Sequence, residues 1–292
     1  MALIAMAADK GAPGVTTAAV ALAAVWPRSV LLAECDVAGS DLPYRLPGKG
    51  GHPLAQDRGV VSLASAVRGS VGPEVVWEHT QELAGGLPVL VGPTQPEQAA
   101  AMASAWTPIS GMLAGLPETD VIADCGRVLG ESPVVPVLRR ADLIVLIARD
   151  TVEGVAHLRH ALLAVARAVN AQASSGSVLQ RTVVLLITDP RKGKEAAGQV
   201  RRVLAGAPGL GDVPVLGAIA YDPVGAAGLS GQWGRKLDKS ALVASARTVA
   251  RDAHARVHAA GPISQGSGHG RGVPAGGSGS WTGPAAASRV AL

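Results

Sequence analysis

The chain has no phenylalanine, and aromatic residues make up only 2% of its 292 positions. A core without Phe has to be assembled from Ala, Val and Leu. Such small side chains let helices and strands approach closely, as layered α/β packing requires. Cysteine is scarce too: Cys35 and Cys125 are the two present, which excludes a disulfide scaffold and points to a reduced, cytoplasmic setting. Charge is sparse, with 26 basic against 22 acidic residues and a net charge of +4. That excess is too weak and too diffuse to imply nucleic-acid binding. No run reaches the ~18 consecutive apolar residues of a membrane-spanning helix. The apolar start, Met1 to Ala8, has no basic residue ahead of it and meets Asp9 and Lys10 at once. It reads as a first strand and not as a signal peptide. With 48% apolar residues over this length, there is material for one α/β domain of ~250 residues plus a tail, or for two small domains.

Short apolar runs alternate with Ala-rich stretches of helical length. Strands are expected at Ala2–Ala7, Ser29–Glu34, Leu87–Val91, Asp120–Asp124, Asp142–Ala148, Thr182–Thr188 and Val213–Ala220. They are continuously apolar, as strands covered on both faces must be. Helices are expected at Thr16–Val25, Pro96–Leu113, Val152–Asn170, Lys194–Ala205 and Ser240–Ala260. The alternation predicts βαβ units: an α/β, doubly wound, mostly parallel sheet with helices on both faces. Val75–Leu83 reads either as the first arm of a hairpin with Leu87–Val91 or as a loose edge segment. Residues 43–60, rich in Pro and Gly, form a long loop near the front of the domain. From Gly261 onward Gly, Ser, Pro and Ala dominate and no apolar period survives. The expected division is therefore a folded domain over 1–260 and a disordered tail over 261–292.

The most informative segment is Asp9-Lys10-Gly11-Ala12-Pro13-Gly14-Val15-Thr16-Thr17, between the first strand and an Ala-rich helix. Read locally, it is either a plain Gly/Pro turn with Thr as helix cap or an anion cradle. In the second reading, backbone N–H groups and the helix N-terminus face a phosphate, and Thr16 sits where a hydroxyl can ligate Mg²⁺.

In this segment the chain resembles the ParA/MinD-like P-loop ATPases, whose deviant Walker A loop reads Lys-Gly-Gly-x-Gly-Lys-Thr-Thr. Here residues 10–17 read Lys-Gly-Ala-Pro-Gly-Val-Thr-Thr. Lys10, Gly11, Gly14, Thr16 and Thr17 match. Lys10 takes the signature-lysine position, which in that family's dimers reaches the partner's nucleotide. Val15 replaces the general Walker lysine, and Asp9 adds a carboxylate at the loop entrance. Val30 to Asp36 resembles the family's second strand, ending in Asp-x-Asp. Asp36 matches the aspartate that positions the attacking water and influences Mg²⁺, and Glu34 replaces the first Asp. Asp120 to Gly126 resembles the Walker B strand, so Asp124 would hold Mg²⁺ through water. The strand Val183–Ile187 matches the one whose end carries an adenine-reading Asn. Here that end is Thr188-Asp189-Pro190, where a carboxylate such as Asp189 could accept from an exocyclic amine. The resemblance covers about residues 1–250. The Pro-Gly-Val-Thr-Thr form looks most like ParA-like proteins of actinobacterial pilus or secretion loci, related to the TadZ/CpaE localisation factors.

The resemblance therefore implies ATP and Mg²⁺ as cofactors. Lys10, Gly11, Ala12, Pro13, Gly14, Val15, Thr16, Thr17, Thr188 and Asp189 would hold the nucleotide. Thr16, Asp36 and Asp124 would hold the metal, and Asp36 and Lys10 would serve hydrolysis. The implied output is positioning or regulating a partner assembly, with a homodimer compatible. Two alternatives stay open: a pseudo-ATPase scaffold, which Val15 favours because a phosphate-binding charge is missing, and a partition ATPase on DNA, which the sparse basic charge disfavours. Other constellations are weaker. Cys35 and Cys125 each follow an acidic residue at a strand end and read as small buried hydrophobes. His157 and His160, and His254 and His258, have helical spacing but no third ligand nearby in sequence. No Gly-x-Ser-x-Gly elbow is present. The amphipathic stretch from Leu237 to Ala260 reads as a helix covering the sheet, with contact to an acidic membrane surface as the weaker reading.

Overall fold

A computed structural model describes residues 1–10, 13–69, 71–128, 131–170, 178–229 and 237–259. Gly11 and Ala12 of the first loop and the tail 261–292 lie outside the described residues.

Eight strands form one sheet: β1 Leu3–Ala8, β2 Val30–Glu34, β3 Gln81–Glu82, β4 Pro88–Leu90, β5 Asp120–Arg127, β6 Leu143–Arg149, β7 Thr182–Thr188 and β8 Val215–Ala220. Their order is β3-β4-β2-β5-β1-β6-β7-β8. Every pairing is parallel except β3 with β4. The helices are α1 Val15–Ala24, α2 Leu42–Arg45, α3 Val60–Ala66, α4 Val76–His79, α5 Pro96–Ala101, α6 Trp106–Ala114, α7 Val135–Arg140, α8 Val152–Asn170, α9 Gly193–Ala205, α10 Pro223–Leu229 and α11 Ala241–Ala259.

Strand alternation splits the core in two. Leu3, Ala5 and Ala7 of β1 point into one cluster with Trp106, Leu113, Leu162 and Val200 from α6, α8 and α9. Ile4, Met6 and Ala8 point into the other, with Ala18 and Leu22 of α1 and Leu242, Ala246 and Val249 of α11. Helices therefore cover both faces, and the continuously apolar strands follow directly. The apolar side of α11 is spent on this packing.

Two expectations are corrected. Pro96–Leu113 is not one helix: α5 ends at Ala101 and α6 restarts at Trp106 after a 3₁₀ turn. Pro108 explains the restart, because a proline with no N–H fits a helix's first turn but not its interior. Val75–Leu83 is mostly helical, with α4 held by the fully buried Val76. Of the hairpin only the two-residue β3 remains, antiparallel to β4. Among the described residues no helix is long and apolar enough to cross a membrane.

Candidate functional site

The chain leaves β1 at Ala8 and enters α1 at Val15. Gly14, with φ +99°, caps α1 in the left-handed region and accepts the first helical bond from Ala18 N–H at 2.9 Å. Among the described residues no side chain caps this helix start, so its first-turn N–H groups are available as donors for an anion. Val15 is buried in the cluster beneath α1 and presents no charge to the loop. Thr16 and Thr17 are half-buried, and Lys10 is exposed. Asp9 pairs with His157 of α8, 3.4 Å from Nδ1. Both line a cavity of about 230 Å³ together with Lys10, Pro13 and Arg149.

Beside the loop, β2 and β5 bring three carboxyls together. Glu34 and Asp124 are register partners, and Cys35 N–H donates to the Asp124 carbonyl at 2.7 Å. Burial raises the Glu34 pKa to about 7; the Asp124 and Asp36 charges add to the rise, against bonds from the Ser40 hydroxyl and Gly92 N–H. Asp124 is 1% exposed. Its Oδ1 accepts from Gly126 N–H at 3.0 Å, and among the described residues its Oδ2 makes no hydrogen bond of good geometry. Burial raises its pKa to about 6, opposed by the Thr16 hydroxyl, Gly126 N–H and the Arg45 charge. Burial also raises Asp36, while Ala38 N–H at 2.8 Å and the Arg127 charge pull it down.

Asp36 approaches through a gap that only glycine leaves. β5 carries an irregularity after Asp124: Met6 pairs with Asp124, but Ala8 pairs with Arg127. Gly126 sits inside it at φ +56°, and a Cβ there would lie 2.0 Å from Asp36 Oδ2. The sequence hint was the Gly after the Walker B-like Asp-Cys, where the resembling family continues differently.

The arrangement fits a magnesium ion. Thr16, Asp36 and Asp124 would offer such an ion only hard oxygens, as Mg²⁺ prefers. A buried carboxylate oxygen without a partner is a group that a cation would satisfy. Phosphates would then lie against the start of α1.

Of the other expected residues, Thr188 and Asp189 end β7, two strands from β1 on the same edge of the sheet. The buried Thr188 hydroxyl donates to Asp150 Oδ2 at 2.5 Å. Asp189 is exposed, and its Oδ1 accepts from Arg191 N–H at 2.8 Å. Cys35 and Cys125 are both fully buried, with thiols pushed well up by burial.

Two features escaped the sequence. Arg45 of α2 reaches α1, with Nη2 donating to Thr17 Oγ1 at 3.3 Å. At the opposite end of the sheet, His254 and His258 do find a carboxylate: Asp120 lies with them, all three potential ligand atoms within 4.8 Å. That carboxylate is already engaged. Ala2 N–H and the Trp26 indole donate to it at 2.8 and 3.0 Å, His258 Nε2 lies at 3.0 Å and Arg28 at 3.7 Å. The cluster clasps α11 to the start of β5.

The sequence matches no protein-family profile and no curated protein. Its structure matches solved ones. A ParA family ATPase from Chlorobium tepidum is 14% identical with a TM-score of 0.63, over 86% of this chain and 98% of that one. McdA(D38A) of Cyanothece, in complex with ATP, is 17% identical with a TM-score of 0.63, over 91% and 99%. Cobyrinic acid a,c-diamide synthase of Mycobacterium smegmatis, with an ATP analogue and magnesium bound, is 22% identical with a TM-score of 0.56, over 86% and 93%. The fold is thus the one these ATPase and synthase structures share, a mostly parallel sheet covered by helices on both faces.

Proposed function

We propose that this chain binds a nucleoside triphosphate, ATP, together with Mg²⁺ at the loop 9–17, and that the bound state positions or regulates a partner assembly such as a pilus or secretion apparatus. The observation that carries the reading is Asp124 Oδ2, a buried carboxylate oxygen that makes no hydrogen bond of good geometry among the described residues, with the Thr16 hydroxyl and the Asp36 charge acting on the same carboxyl. It supports a metal-dependent anion site at the start of α1. When bound, Mg²⁺ would neutralise phosphate charge. The chain's own part is to orient the phosphates by the α1 N–H groups and to hold water at Asp36. Lys10, exposed at the loop, supports a role across a homodimer interface.

The burial of Val15 favours a second reading: a scaffold that binds nucleotide and does not hydrolyse it. Phosphoryl transfer depends on fixed positive charge around the γ-phosphate, and Val15 supplies none. Calorimetric titration with ATP, ADP and GTP, with and without Mg²⁺, tests binding. Phosphate release then separates the two readings.

A further inference from the structure

Arg45 lies in a stretch that reads from sequence as a Pro/Gly loop, yet the structure anchors it firmly. α2 spans Leu42–Arg45, with Pro43 in its first turn. Leu42 and Leu46 on either side are 1% and 8% exposed, and both belong to the cluster that contains Val15 and Ala18 of α1. Leu46 N–H closes the turn onto the Leu42 carbonyl at 2.9 Å. Two buried leucines thus anchor α2 in the cluster that α1 also joins, with the half-buried arginine between them. Its Nη2 meets the Thr17 hydroxyl at 3.3 Å, on the first turn of α1.

We propose that Arg45 is a phosphate-binding residue of this site, standing in from α2 for the charge that Val15 does not supply within the loop. The assignment rests on the nucleotide reading above and adds the identity of the cation. A guanidinium suits the role. Its donors fan out in one plane, so it can hold the Thr17 hydroxyl and a phosphate oxygen together. Its bonds to phosphate are charge-assisted. A lysine at position 15 approaches phosphates from within the loop, whereas Arg45 arrives from a separate helix turn. Phosphate binding and the Arg45–Thr17 contact are then coupled.

The test is titration of the full chain with Mg-ATP, ADP and AMP, comparing wild type with Arg45→Gln and Arg45→Lys, with thermal melts of each. Wild type should bind Mg-ATP. Arg45→Gln should weaken Mg-ATP at least tenfold and change AMP much less, because fewer phosphates share the lost charge. Arg45→Lys should recover part of the loss. A merely structural arginine would lower melting temperature and weaken all three ligands alike, which would overturn the assignment. So would Arg45→Gln binding Mg-ATP as wild type does. A wild-type chain that binds no nucleotide would overturn the site reading itself, and this assignment with it.

Discussion

Glu34 and Asp124 are register partners on adjacent parallel strands, and both carboxyls are buried. Two such groups cannot both carry charge cheaply in a dry interior. Burial and the nearby carboxylates push Glu34 up to about 7, so near neutrality a large share of it is the protonated acid, held by Ser40 and Gly92. Asp124, at about 6, is then the member free to meet a cation.

Glu34→Gln keeps the shape and the acceptor for Ser40 and Gly92, and should leave stability near wild type at pH 5. The two proteins should diverge as pH rises. A raised carboxyl pKa stabilises the fold below the folded value and loses that contribution as pH climbs from 4.5 toward 7. Urea melts across pH 5–8 should show wild type losing on the order of 1–3 kcal/mol relative to Glu34→Gln. Parallel curves would contradict the burial account.

Gly126→Ala places a Cβ 2.0 Å from Asp36 Oδ2 and forces a left-handed backbone on alanine. The strain alone costs about 1–2 kcal/mol. The displaced Asp36 should also weaken Mg²⁺-dependent nucleotide binding. Melting curves with and without Mg-ATP check both effects; a variant still stabilised by Mg-ATP as wild type is would show that Asp36 does not need its place.

The Asp120 clasp should make the fold acid-sensitive. Burial works to raise Asp120, yet the Trp26 indole, His258 and Arg28 hold it below the usual carboxylate range. Burial, then the His258 charge, depresses His254. A depressed histidine gives up stability as pH falls below its unfolded value of 6.5, and a depressed aspartate does so as pH falls below 3.8. Both therefore act in the same direction. Asp120→Ala should cost about 3 kcal/mol at neutral pH, since it strips partners from a buried network, and should flatten the acid limb of a melting-temperature profile.

With Lys10 acting across a homodimer as proposed, and Val15 supplying no charge within the loop, turnover should be undetectable or should rise steeply with protein concentration. Phosphate release across a concentration series, with Lys10→Ala and Asp36→Ala alongside, checks this. Ordinary turnover by dilute protein that Lys10→Ala leaves unchanged would sink the account of Lys10.

Most of the sheet was legible in the sequence because strands such as Leu143–Arg149, covered on both faces, must be apolar throughout. The long helix Val152–Asn170 was legible from its period. Short helices were not: four to seven residues, as in Leu42–Arg45, Val60–Ala66 and Val135–Arg140, are too few for a helical period to show. The order of motifs carrying Thr16, Asp36 and Asp124 was visible, since each lies in or just beyond a continuously apolar strand or at the start of a helix. Arg45 was not, because its place depends on α2 packing into the cluster that α1 also joins. Asp120 with His254 and His258 was missed for a related reason: the fold, not the local spacing, joins them.

The most direct test of the central claim is a calorimetric titration of ATP into wild type and Asp124→Asn, each with and without Mg²⁺. The account predicts that wild type binds ATP, that Mg²⁺ tightens binding, and that Asp124→Asn abolishes the Mg²⁺ effect, at least tenfold in affinity for a lost charge-assisted contact of ~1.5–3 kcal/mol. ATP affinity that is the same with and without Mg²⁺, or an Mg²⁺ effect undiminished in Asp124→Asn, would contradict it.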